Sequence, residues 1–327
     1  MARVVLVACL ALVGMLVLAS SGTQANDSDF YEIGDEWVYD MTMEMDPVTL
    51  TGTMTYSVDG IKTETVAGVV YDVYDIGADC TLSLTGEYLT TTIEGTAIYT
   101  GRISVDVEEL DAIRSDLNIS MLMTFEGGLL IVPYESEWWA HTITTYSPPG
   151  GVGEEPDGFT EGVTWVMTYT VHTETMTYDD GDISSESESS TETRTCTCIG
   201  TETITVPAGT FDCEVVQVDD GDSIETNWYC EEVGNDVKSV YESGDGDGSY
   251  VLRSYSFTPK DSDSDNLMLY IAVGAVVVAI AVVTVIAMML RKKPDAPQVV
   301  PSEPVSAQGP LVPPDQPPGT SPPPPPR

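Results

Sequence analysis

Few residues in this chain have the types and spacing that chemistry needs. His141 and His172 are the two histidines among 327 residues, and neither lies beside a Ser or Cys nucleophile motif. With 53 Asp and Glu in the sequence, some carboxylate pair always falls at glycosidase spacing, so such pairs carry no information. Asp219-Asp220-Gly221-Asp222 and Asp245-Gly246-Asp247-Gly248 offer hard oxygen ligands in relaxed turns, yet neither completes a twelve-residue calcium loop ending in Glu. Acidic turns are the simpler reading. No catalytic, cofactor or metal site is expected, and the chain reads as a protein without enzymatic activity.

Two features point to binding. Trp138-Trp139, near Tyr134, His141 and Tyr146, is the densest aromatic cluster. On a strand the two tryptophans point to opposite faces, so one belongs to a core and the other is free to sit exposed as a candidate contact for a sugar ring or an apolar groove. Asn26-Asp27-Ser28 and Asn118-Ile119-Ser120 are glycosylation sequons, which make Asn26 and Asn118 candidate acceptors.

Three different polymers must position these residues. Residues 1–25 read as a signal peptide: Arg3 precedes an uncharged run from Val4 to Ala19 and a small polar stretch ending at Ala25. Residues 267–290 form an uncharged run that at about 1.5 Å per residue reaches roughly 36 Å, enough to cross a roughly 30 Å hydrocarbon core as a transmembrane helix. Arg291-Lys292-Lys293 follows it and the acidic linker 259–266 precedes it, so the positive-inside bias places the C-terminus in the cytoplasm. The expected location is the cell membrane, single-pass, with an extracellular ectodomain. Residues 291–327 are Pro-rich and read as a disordered tail in extended polyproline conformations, open to a cytoplasmic polyproline-binding partner.

The middle carries the charge. Removing Asp295, Glu303 and Asp315 from the 53 acidic residues leaves 50 within residues 26–265, against seven basic ones, a net charge of about −43. Such a field repels nucleic acid and anionic headgroups, so no nucleic-acid partner is expected.

Along this middle the period is two. Trp37, Tyr39, Met41, Met43 and Met45 alternate with polar residues, and so do Trp165, Met167, Tyr169 and Val171. Leu110, Ile113 and Leu117 suggest one short helical turn, and Asp182–Thr193, DISSESESSTET, reads as a solvated loop. Two echoes mark a duplication: Gly34-Asp35-Glu36-Trp37-Val38 with Gly162-Val163-Thr164-Trp165-Val166, and Glu64–Val70 with Ile204–Phe211. The expected fold is all-β, with tandem antiparallel, half-barrel-like β-domains at 26–132 and 133–258.

The sharpest geometric expectation is a hairpin. If Gly221-Asp222 is its turn, residues facing each other sum to 443, pairing Val215 with Trp228 and Cys213 with Cys230. Phe211, Cys213, Val215, Ile224, Trp228 and Cys230 then share one face, while Asp212, Glu214, Glu225, Asn227 and Glu231 share the other. A Cys213–Cys230 disulfide is expected, since exported thiols oxidise. Cys9 leaves with the signal peptide. Of the remaining thiols, Cys196 and Cys198 share a strand face from which one can reach Cys80.

Val206-Pro207-Ala208-Gly209-Thr210-Phe211, then Trp228-Tyr229-Cys230, then Val233-Gly234-Asn235-Asp236-Val237-Lys238, resembles the VPAGTF, WY and VG signature of uncharacterised exported β-domains in bacterial envelope and archaeal surface proteins. The resemblance implies a curved antiparallel sheet, similar to the half-barrels of lipoprotein carriers, and no catalysis. The functional expectation is a membrane-anchored extracellular binding or envelope-interaction module, with a glycan, envelope component or apolar ligand as partner. The alternative is a carrier holding a lipid or other apolar ligand in the concavity of its sheet.

Overall fold

The computed structural model describes residues 30–257, apart from 89, 109, 128–132, 153–159, 180 and 245. The signal peptide, the Asn26 sequon, the acidic linker, the 267–290 span and the Pro-rich tail lie outside the described residues. Among the described residues, no helix is long and apolar enough to cross a membrane.

The described chain forms twelve antiparallel strands in order of sequence. They are β1 (Glu36–Met45), β2 (Val48–Val66), β3 (Val69–Tyr88), β4 (Thr91–Asp106), β5 (Ala112–Gly127), β6 (Tyr134–Val152), β7 (Thr164–Asp179), β8 (Asp182–Val206), β9 (Gly209–Asp219), β10 (Ser223–Cys230), β11 (Asn235–Ser243) and β12 (Gly246–Ser256). Each pairs with its sequence neighbours, and β1 pairs with β12, from Glu36↔Ser256 to Glu44↔Asp247.

The expectation of tandem half-barrels is therefore overturned: the described strands form one closed barrel. The reason is edge chemistry. Two separate six-stranded sheets would each expose two rows of unpaired backbone groups. Pairing β6 with β7 and β1 with β12 joins those edges into a single closed sheet.

The echoed motifs take equivalent places. Gly34 and Gly162 both have positive φ, at 101° and 83°, a region that favours glycine. The N–H of Gly34 donates to the Val58 carbonyl and that of Gly162 to the Cys198 carbonyl, each at 2.8 Å. Both partner strands bulge just afterwards, at Val58/Gly60 and at Cys198/Gly200. Counted by strands, the matching backbone geometry falls on β1–β2 and on β7–β8 of the one barrel.

Alternation explains the wall. In β1 the even positions Glu36, Thr42 and Glu44 are exposed, while Trp37, Tyr39, Met41, Met43 and Met45 are buried in the interior. Polar residues outside and apolar residues inside is the inverse of a barrel that spans a bilayer, where charges on the lipid face are costly. Adjacent strands approach closely at Gly52, where an added Cβ would lie 2.0 Å from the Thr81 carbonyl oxygen.

Two local readings are corrected. Leu110 precedes β5, and Ile113 and Leu117 lie buried on that strand, so no helical turn spans the three; the spacing of four between Ile113 and Leu117 fits a strand face as well as a helical one. Residues 182–193 are strand, pairing with β7 from Asp179↔Asp182 to Thr168↔Thr193. Low hydrophobicity there reflects a hairpin with little core to cover, since the pairing itself satisfies the backbone.

One end of the barrel is closed by aromatic rings. Tyr31 packs edge-on against Trp37 and Tyr74, at 5.4 and 5.2 Å between centroids, and Phe30 meets Phe257 at 5.8 Å. The Trp37 Nε1–H donates to the Val233 carbonyl at 2.8 Å, tying the β10–β11 turn to this end. The β8–β9 tip also reaches across to β12, where the Ala208 N–H donates to the Leu252 carbonyl at 3.2 Å.

Candidate functional site

The adjacent tryptophans separate as strand geometry requires. Trp138 points into the barrel and is 6% exposed, whereas Trp139 is half-buried on the outer wall. Register carries a transverse row across five strands: Ile98 faces Ser120, Ser120 faces Trp139, Trp139 faces Tyr178, and Tyr178 faces Ile183. The Trp139 and Tyr178 rings are parallel within 5°, with centroids 5.8 Å apart. Around them Ile98, Leu122, Met176 and Ile183 are exposed apolar side chains. On a wall otherwise rich in Thr, Ser and carboxylates, this is an aromatic and aliphatic platform.

The histidines border the same wall without forming a catalytic set. His141 Nε2 is 2.8 Å from Asp116 Oδ1, and His172 Nδ1 is 2.8 Å from Ser189 Oγ. They are held by different partners on different strands. Asn118 is exposed, faces His141 directly, and lies diagonally from Trp139.

The β9–β10 hairpin takes the register expected from its turn. Asp219 pairs with Ile224 and Val215 with Trp228, and the ladder ends at Glu214↔Tyr229, one step before Cys213 and Cys230. All five cysteines of residues 30–257 are buried thiols in the structure. Cys213 and Cys230 adjoin: their mutual hydrogen bond lowers the Cys230 pKa to about 7, helped by backbone N–H groups, and raises that of Cys213. Cys80 lies apart, its pKa raised to about 12 by burial. It packs in the main core, whereas Cys196 and Cys198 belong to a second cluster with Trp165 and Met167, so the structure does not bring them together.

The signature segments meet at this corner. Val206, Ala208 and Phe211 of the tip pack on the main core that also holds Cys213, Cys230, Val233 and Val237. Trp228 donates its Nε1–H to Glu202 Oε2 at 2.8 Å, and the Lys238 ammonium sits 4.2 Å from its ring centroid.

Which face of the hairpin turns inward could not be told from the register. Glu225, Asn227 and Tyr229 face the interior with Val216 and Val218, although Glu225 and Asn227 fall on the polar side of the pattern. Asn227 is 0% exposed. Opposite stands Arg194, buried on β8 between Glu192 and Cys196, its guanidinium 5.2 Å from the Tyr169 ring centroid. A lone basic residue within the alternation of Cys196 and Cys198 was the sequence signal for this cluster.

The acidic turn uses its own carboxylates. Asp220 accepts hydrogen bonds from the N–H groups of Asp222 and Ser223 and from the Ser223 hydroxyl, at 3.0, 2.8 and 2.8 Å. Among the described residues, no three acidic, His or Cys side chains converge as metal ligands.

No family model matches the chain, and no curated protein matches it. Among solved structures, the β domain of the Bordetella autotransporter BrkA aligns with 68% of this chain and 100% of its own, at 9% identity and a TM-score of 0.29. That score supports no inference about this chain.

Proposed function

We propose that the protein is a membrane-anchored extracellular recognition module without catalytic activity, which binds a glycan of neutral or amino sugars through its outer wall. The observation that carries this reading is the parallel Trp139–Tyr178 pair within an exposed apolar row. Aromatic faces cover the apolar face of a sugar ring, and the surrounding Ser120, Asn118 and Glu137 offer hydrogen-bonding groups for its hydroxyls. The acidic coat disfavours anionic polymers.

In this proposal the 267–290 run anchors the chain, and its basic flank holds the Pro-rich tail in the cytoplasm, available to a polyproline-binding partner. The alternative carrier of an apolar ligand fits less well. The concavity it needs is closed on itself and occupied by side chains such as Met54, Leu82, Met121 and Trp138.

The test is a glycan array probed with the full chain in detergent. Binding to neutral or amino sugars should weaken about tenfold in Trp139→Ala, the scale of one aromatic contact. A variant that binds as the native chain does overturns the reading.

A further inference from the structure

The β2–β3 hairpin overshoots β1. Glu36 pairs with Ser57 on β2 and with Ser256 on β12, so β2 runs on past the end at which the described chain leaves the barrel at Phe257. From Gly60 to Val66 its ladder is with β3 alone among the described residues, ending at Val66↔Val69. The tip is apolar and open. Residues 65–71 carry no charge, and residues 67–70 are exposed throughout, with Val69 at 51% and Val70 at 65%. Ile33 and Ile61 are exposed behind it. The β8–β9 tip at the same end is tied down instead: its Ala208 N–H donates to the Leu252 carbonyl and Phe211 is buried.

Behind the tip the acidic wall is largely ion-paired. Of the seven basic residues in 26–265, three stand here. Lys62 is 3.0 Å from Asp75, Arg114 is 3.5 Å from Glu64, and Arg102 pairs with Asp59 and, at 3.6 Å, with Asp75. Asp72 accepts a hydrogen bond from the Thr63 hydroxyl. An apolar medium disfavours unpaired charge, so this anionic barrel meets a bilayer at least cost where its leading residues are apolar and the carboxylates behind them are paired.

Chain length brings the tip to such a surface. Nine residues, 258–266, separate Phe257 from the uncharged 267–290 run, and at about 3.3–3.6 Å each they span at most roughly 32 Å. The overhang from Gly60 to Val66 covers about 23 Å at about 3.3 Å per residue. The tip thus lies within the tether's length. We propose that the β2–β3 tip sits in the outer leaflet beside the chain's own anchor, docking this end of the barrel on a zwitterionic phospholipid surface. The inference depends on the reading of 267–290 as that anchor. Two valines and an alanine make a weak contact alone, but the tether holds them at high effective concentration.

The test uses the full chain reconstituted in phosphatidylcholine vesicles, with an environment-sensitive fluorophore on Val69→Cys, on Val70→Cys or, at the opposite end of the barrel, on Ile224→Cys. These positions are exposed and the native thiols of the barrel are buried, so labelling is selective and the fold is kept. Flotation of the vesicles after an alkaline wash reads the anchor independently of the tip. The chain should float, both tip labels should shift to the blue, and a lipid nitroxide near the headgroup should dim them about twofold, more than one at the acyl chain end. The label on Ile224→Cys should be unaffected. A floating chain with unquenched tip labels, or with equal quenching on Ile224→Cys, overturns the docking and leaves the anchor standing. A chain that fails to float overturns both.

Discussion

Val58 and Cys198 hold matching backbone positions in one barrel. The N–H of Val58 donates to the Asp35 carbonyl and that of Cys198 to the Val163 carbonyl, each at 2.9 Å, and each is followed by a bulge. The match lies in the backbone alone, since one side chain is aliphatic and the other a thiol.

That equivalence predicts matched mutational costs. Gly34→Ala and Gly162→Ala both force a side chain into the left-handed region and should each cost about 1–2 kcal/mol. Urea unfolding of the two variants checks it. Similar losses are expected in both, with additive loss in the double variant because the sites share no partner.

Strand approach predicts a harsher outcome at Gly52. A Cβ there would lie 2.0 Å from the Thr81 carbonyl oxygen, a backbone atom that cannot swing aside. Gly52→Ala should cost about 1–3 kcal/mol or more, measured by the same unfolding experiment. Gly60→Ala, with nothing within 4 Å of the added carbon, is the control expected to change little.

The adjoining thiols predict a bond. A Cys230 thiol with a pKa near 7 is substantially thiolate at neutral pH and stands against Cys213. Peptide mapping without reductant should recover the two linked. Closing that loop should stabilise the chain by about 3 kcal/mol, lost in Cys213→Ala. Recovery of both as separate peptides after secretion through an oxidising compartment would count against the pairing.

Glu214 predicts a pH dependence. Burial, reinforced by the charge of Glu231, raises its pKa from 4.5 to about 7. The folded chain therefore keeps a proton that the unfolded chain releases, so stability falls as pH climbs through that window. Glu214→Gln should remove that part of the slope and stabilise the protein above pH 7 by about 1 kcal/mol, after allowance for solvent screening. Thermal midpoints across pH 5–8, an interval set by that pKa, measure it.

Local pattern was legible and global closure was not. The alternation of Trp37, Tyr39 and Met41 and the β9–β10 register follow from side-chain period and turn chemistry, both of which act within a few residues. Whether two six-stranded sheets stay apart or join depends on contacts such as Glu36↔Ser256, which no local signal encodes. Glu225 and Asn227 misled for a related reason: the register pairs residues, but the curvature of the whole sheet decides which side is inside. Asp182–Thr193 misled because a backbone ladder needs no apolar side chains. At the candidate surfaces, the split between Trp138 and Trp139 was legible from strand geometry, while the row that joins Trp139 to Tyr178 depends on a β6–β7 register without a tight turn to set it.

Phe30 and Phe257 touch, at 5.8 Å between ring centroids, so the barrel's first and last described residues leave from the same rim. The covalent order of the strands is thus interchangeable with another. A short peptide bridging these ends, with the chain reopened in the loop between β6 and β7, would yield a circular permutant whose two halves have traded places. The sheet would keep every neighbour it has now, while the new ends would emerge beside Val152 and Thr164, at the other seam between the halves.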